Sequence, residues 1–293
     1  MKSRRIAGGL TLILTCLGAP ELTNAQTTPA PSHKVDAENR FFMRFVEDAA
    51  VVPSYWLEGQ LSFQSNQRSM QMAFDLEDLD PNASREMERD AARASQADVY
   101  ALMPVFALNV AEDLEFGGRI ALTHRDPDEA GSYTGLSDLD LWGKISLVSD
   151  PVKLSLGLLL SLPTANEGKL LGTGETSVEF FGGIRKDFAH LTVAGNVGVR
   201  VNQDQEFGGG EAEGKNSLLV GAGVLFPAGE KIVLSAEWAY ETERLDGLRS
   251  ESRLMGGFDY RFDENFLFRG GAGGGLTQGS PDFFATGSVV WLF

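Results

Sequence analysis

From Leu114 onward the chain alternates apolar and polar residues with a period of two, in stretches of about ten residues. No other feature narrows its fold as much. In VKLSLGLLLSL, Val152, Leu154, Leu156, Leu158, Leu160 and Leu162 share one face. Lys153, Ser155, Gly157 and Ser161 share the other, with Leu159 the exception. Successive side chains of a β-strand point to opposite faces, so this is a strand with one apolar side. Its length matches the ~9–11 tilted residues that carry a strand across a membrane core. Twelve such segments can be marked: 54–63, 98–109, 114–123, 136–148, 152–162, 175–185, 190–201, 217–226, 231–242, 251–262, 265–276 and 283–293. The first two are the least regular, and Pro104 weakens the second because it cannot donate to a ladder.

The connections alternate as regularly as the strands. Tight turns fall at 110–113, 149–151, 186–189, 227–230 and 263–264, rich in Asp, Pro, Gly and Glu. Longer connections fall between them, at 64–97, 124–135, 163–174, 202–216, 243–250 and 277–282. An even strand count with short turns at one end and long loops at the other is the arrangement of a bacterial outer-membrane β-barrel. The expected fold is therefore all-β, a transmembrane antiparallel up-and-down barrel of about twelve strands. It places both termini and the tight turns in the periplasm. The last segment, FFATGSVVWLF, sets Phe283, Ala285, Gly287, Val289, Trp291 and Phe293 on one face. A final strand with this pattern and a terminal Phe resembles the signal that barrel-assembly machinery reads.

The N-terminus agrees on compartment. Lys2, Arg4 and Arg5 precede a short apolar run, Ile6 to Leu17, and Thr23-Asn24-Ala25 offers small residues for cleavage. Residues 1–25 read as a secretory signal peptide, too short in its apolar core to span as a helix. Cys16 in a lipoprotein signal is the rival reading, and Thr15 before it fits poorly. Cleavage would remove the only cysteine, leaving neither a disulfide nor a thiolate metal site. It would also take the formal net charge from −16 to −18, since three basic residues leave with one acid, Glu21. A polyanion is a poor partner for such a chain, so nucleic acid is not expected.

Residues 26–53 form an expected periplasmic N-terminal segment ahead of the barrel, 54–293. Within it Glu38–Ala50 has Phe41, Phe42, Phe45, Val46 and Ala49 on one helical stripe. Such a helix would either pack on the barrel rim or enter the lumen as a plug. The loop 64–97 carries a second helix candidate, capped by Asn82 or Ser84 and alternating in charge.

The inward face follows from the alternation. It carries Arg119, Lys144, Lys153, Arg185, Arg200, Lys231, Arg253, Arg261 and Arg269 against Glu58, Glu115, Asp138, Asp140, Glu175, Glu179, Glu237, Glu241, Glu251 and Asp259. Mixed charges either line a wet pore or pair across it and close it. Inward glycines such as Gly157, Gly183, Gly257 and Gly273 favour space, and with it a narrow channel. Of the charges, Lys144, Glu179, Arg200, Glu237, Arg253 and Asp259 lie nearest mid-strand and are the candidate selectivity lining.

Other chemistry is thinly represented. GGAGGGL at 270–276 lacks the Lys-Ser/Thr and helix of a phosphate loop, and GTGE at 172–175 falls in a loop. His33, His124 and His190 have no ligand spacing, so neither a metal nor a cofactor is expected. His124 near Ser132 and Ser137 is the one arrangement that admits a rim enzyme, and no catalytic residue is assigned.

The middle of the chain carries GLSDLDLWGKISL (135–147) and LSLGLLLSLPTANEGKLLGTGETSVEFFGGIRKDF (154–188). Gly135, Asp138, Leu162-Pro163-Thr164 and Gly172-Thr173-Gly174 stand where the outer-membrane family of the MetA pathway of phenol degradation has its motifs, with Ala165 where a glycine is common. Over 135–201 the chain resembles that family. The resemblance implies an outer-membrane transporter for aromatic or other small hydrophobic compounds, and carries over no substrate-binding residue.

The expected function is thus a passive outer-membrane channel for small molecules, set among outer-membrane lipid and lipopolysaccharide. A non-conducting barrel that works through its surface, and a rim enzyme, are the alternatives.

Overall fold

The computed structural model describes residues 47–52, 54–65, 97–127, 132–165, 171–172, 175–207, 210–246 and 248–293. The signal peptide at 1–25, the helix candidate up to residue 46 and the helix candidate of loop 64–97 lie outside the described residues. All regular structure among the described residues is strand.

The strands are β1 (Tyr55–Ser65), β2 (Ala97–Ala111), β3 (Leu114–Arg119), β4 (Leu122–Pro127), β5 (Tyr133–Leu136), β6 (Leu139–Val148), β7 (Lys153–Leu162) and β8 (Ser177–Asp187). They continue with β9 (Thr192–Val201), β10 (Gln205–Phe207), β11 (Gly210–Ala212), β12 (Ser217–Pro227), β13 (Ile232–Glu241), β14 (Glu251–Arg261), β15 (Phe266–Gly275) and β16 (Phe283–Leu292). β2 pairs with β3 along one half and with β4 along the other, while β6 and β5 continue that division on the next stave. β3–β4 and β5–β6 are therefore two interrupted staves, and the wall has twelve. β10 and β11 form a separate hairpin in the 202–216 connection.

Every barrel pairing is antiparallel, and β1 closes the ring by pairing with both β16 and β2. Phe293 completes the seam: Tyr55 N–H donates to Phe293 O at 2.9 Å, and the two rings stack at 5.8 Å. The interruption between β3 and β4 has a visible cause. β2 meets Arg119 through Val105 and Leu122 through Leu102, so the ladder lapses opposite Pro104, which has no N–H to give. The gap is bridged instead by Ser137, whose Oγ accepts from Ala121 N–H while its own N–H donates to Ala121 O, both at 2.8 Å.

Turns at 112–113, 149–152, 188–191, 228–231 and 262–265 share one end of the barrel, the short-turn end. Gly229 takes φ of 110° in one of them, a conformation open to glycine at little cost. At the long-loop end, Lys215 joins the 202–216 connection to Asp246 and Glu243, whose hydrogen bonds raise its ammonium above the ordinary lysine range.

The outer face is apolar along its height, with Leu57, Leu61, Leu102, Phe106, Leu156, Phe180, Val197, Leu234 and Leu254 all exposed. Rings gather at both ends, with Tyr55, Trp291 and Phe293 at the short-turn end and Phe63, Tyr100 and Phe283 at the other. An apolar band between aromatic girdles suits a lipid bilayer. Leu158 sits halfway along β7 on this face and Leu154 near its short-turn end. Leu158→Arg should cost about 2–4 kcal/mol and Leu154→Arg about 0–1 kcal/mol, the depth dependence of a charge facing lipid. Urea unfolding in phospholipid vesicles reads the difference; equal costs would count against this depth assignment.

Candidate functional site

The lumen is not empty at the short-turn end. Residues 47–52, ahead of β1, run along the inner wall and are tied to it by polar contacts. Asp48 accepts from Arg185 Nη1 at 2.6 Å, and both side chains are wholly buried. Arg185 Nε also meets Asp187, which takes Lys153 and the Thr192 hydroxyl as well. Lys144 Nζ donates to Asp48 O at 2.9 Å and Ala50 O at 2.7 Å, and stands 3.4 Å from Glu115. Glu115 accepts the Val52 N–H at 2.8 Å and the Trp142 indole N–H at 3.0 Å, while Asn109 Nδ2 donates to Val52 O at 2.8 Å. The segment lies close to the wall because Gly183 leaves room: a Cβ there would sit 3.0 Å from Glu47 O and 3.3 Å from Ala49 Cα.

Beside this segment, Val52, Trp56, Ala107, Leu267 and Val290 form a buried apolar cluster, with Trp142 and Leu292 packed against it. Arg269 lies over the Trp56 ring at 5.7 Å, bonds Asp259 at 3.0 Å and stands 3.9 Å from Glu58. The inward glycines were expected to leave open space, and the structure fills it. Gly157 receives the Phe181 ring, Gly273 the Phe284 ring and Gly183 the 47–49 backbone. The physical reason is packing: at this barrel size a missing side chain invites a neighbouring ring or chain.

Towards the long-loop end lie two cavities of about 230 and 280 Å³. Glu47, Arg119, Leu159 and Arg253 line both. The first adds Glu179, Asn196, Arg200, Glu241 and Glu251; the second adds Glu58, Gln60, Gln64, Trp142 and Arg269. The cations here are already neutralised. Arg119 bonds Asp140 at 2.8 Å, Arg200 bonds Glu179 and Glu241 at 2.7 Å each, and Arg253 bonds Glu251.

The six candidate lining residues all lie on inward positions of the wall, but at two levels. Glu179, Arg200 and Arg253 line the cavities. Lys144, Glu237 and Asp259 are buried, Lys144 under the 47–52 segment and Asp259 against Arg269. Asp48, Glu47 and Asn196 were not singled out from sequence. Asp48 and Glu47 precede the first strand, where alternation says nothing, and Asn196 is one neutral polar residue in an alternating strand.

The family-like motif residues converge at the long-loop end. Thr164 Oγ1 donates to Ser137 O at 2.9 Å, Ala165 N–H to Asp138 Oδ1 at 3.3 Å, and a Cβ on Gly172 would collide with Asp138 Oδ1. They fasten a loop to the wall. Thr173 and Gly174 lie outside the described residues. His124 stands level with Tyr100 and Thr134 on neighbouring staves, and its Nδ1 is 2.8 Å from Thr134 Oγ1. The Ser137 hydroxyl donates to Asp138 O rather than to a base.

By sequence, no family model and no curated protein matches this chain. By structure, it is similar to the COG4313 outer membrane channel of Pseudomonas putida F1, with a TM-score of 0.60 at 12% identity over 85% of this chain and 98% of that one. It is also similar to the NanC porin, with a TM-score of 0.52 at 8% identity over 81% and 99%. The KdgM porin gives 0.50 at 7% identity over 81% and 99%. At such identities the likeness shows the fold, that of an outer-membrane β-barrel.

Gly183→Leu should push residues 47–49 off the wall. With Ala49→Cys as a reporter, alkylation by a maleimide should be slow in the otherwise native chain and at least about tenfold faster with Gly183→Leu, the change that ~1.4 kcal/mol of lost seating brings. Unchanged rates would show that the segment does not depend on this contact.

Proposed function

We propose that this barrel is a passive outer-membrane channel for small polar solutes, constricted by its own N-terminal segment. The observation that carries this is the pair of cavities walled by ionic side chains, with Glu47 of the 47–52 segment in the lining of both. The charged lining favours polar solutes over the aromatic or hydrophobic compounds that the motif resemblance implies. Lumen charge acts on ions at short range, so Arg200 and Arg253 are the residues best placed to set ion preference. Export through a cleaved signal at 1–25, the short turns facing the periplasm, and assembly read from Phe293 complete the proposal. His124 has no role in the proposed channel.

A second reading has its own support. The buried cluster around Trp56 and the paired charges beside it close the short-turn end, as in a non-conducting barrel whose outer loops do its work.

Planar-bilayer recording separates the two. The native chain should show small unit conductance, and Arg185→Ala should raise it by releasing Asp48 from a buried pair whose rupture costs roughly 3–5 kcal/mol. Silence in both proteins would favour the non-conducting barrel. In the same assay, Arg200→Glu and Arg253→Glu should each move the reversal potential towards cation preference. Potentials unchanged in both would remove these arginines from the selectivity lining.

A further inference from the structure

The ion pairs of the first cavity leave one charge over. Its lining carries four carboxylates, Glu47, Glu179, Glu241 and Glu251, against three guanidiniums, Arg119, Arg200 and Arg253. Glu179, Glu241 and Glu251 are engaged by Arg200 and Arg253, and Arg119 is engaged by Asp140. Glu47 alone of the four has no hydrogen bond or ion pair among the described residues. Arg119 and Lys144 reach it only through their fields, and both are committed elsewhere.

A second polar group in the same cavity is also unanswered. Asn196 is 9% exposed, and its Oδ1 is buried without a hydrogen-bond partner. Leaving such an acceptor unmade costs about 1–3 kcal/mol. Asn196 pairs in register with Gly183, the residue against which Glu47 O packs, and both Glu47 and Asn196 line the one cavity. A half-buried carboxylate and a buried amide oxygen without donors form a site short of hydrogen-bond donors and positive charge.

We propose that this is a binding station for a small organic cation that carries N–H donors, such as a primary ammonium. It rests on the solute-channel reading and names the solute class. An ammonium supplies the missing charge to Glu47 and the missing donor to Asn196 at once. A bare metal ion fits less well, because hard cations take six or more oxygen ligands and no acidic cluster of metal-binding size occurs among the described residues. An anion would have to displace a carboxylate from each guanidinium it approached. The cavity, about 230 Å³, admits a small amine.

The test is binding to the folded full-length barrel in detergent micelles, read by saturation-transfer NMR on methylammonium, tetramethylammonium and acetate. Methylammonium should bind, tetramethylammonium, which lacks N–H donors, should bind about tenfold more weakly, and acetate should not compete. Glu47→Gln should weaken methylammonium about tenfold or more, and Asn196→Asp, which adds a carboxylate, should strengthen it. The opposite signs of these two variants distinguish a site from general loss of folding. Equal affinity in Glu47→Gln, or acetate binding as well as methylammonium, would overturn the proposal. Binding without conductance would support the station and retire the channel reading. Conductance without binding would do the reverse.

Discussion

The constraint on which everything else depends is that a wall in lipid must satisfy its own backbone. No water is present to take an unpaired N–H or C=O, so the sheet must close. β1 carries that burden, since it alone pairs with strands from both ends of the sequence, β16 and β2. Twelve staves then fix a lumen of intermediate width, between the ~8 strands whose side chains fill the interior and the ~16–18 that leave a wide aqueous channel. The contents of that lumen follow from its width. One end takes a length of chain, residues 47–52, and the other keeps cavities.

The inner charges show what such a lumen does to ions. Arg119, Arg185, Arg200 and Arg269 each lie against at least one carboxylate, most of them donated from another strand. A buried charge without a partner is costly, and a paired one is close to neutral in net stability. These pairs therefore hold geometry more than they add stability. Arg185 is the clearest case, because its two carboxylates come from different sources, Asp187 on its own strand and Asp48 on the threaded segment. Wall and segment share one ionic knot.

How much of this could be read from the sequence depends on the range of the interaction. Strand positions were legible because alternation is local and each face meets one medium throughout; β7, expected at 152–162, spans Lys153–Leu162. Leu159, the one break in that alternation, proves to be an inward apolar residue lining both cavities. The lapse at Pro104 was legible as weakness but not as an interruption of the opposite strand. Entry of the N-terminal segment into the lumen was one of two readings, but the wall residues that hold it were out of reach: Lys144 bonds Asp48 across 96 residues and Arg185 across 137. Periodicity carries no information at that distance. The glycines misled for a related reason, since a strand pattern shows that a side chain is missing but not which ring will occupy the space.

Glu47 links the two halves of the lumen. It belongs to the segment seated at the short-turn end, yet it lines the cavities towards the other end. A ligand that binds Glu47 therefore binds a group whose position depends on the Asp48–Arg185 pair one residue away. Affinity at the cavity and seating of the segment are then linked, and the coupling must be reciprocal. A solute that prefers the seated arrangement stabilises it, and unseating the segment dismantles the site. The same few residues would thus set both how far the lumen is constricted and what it holds in that state.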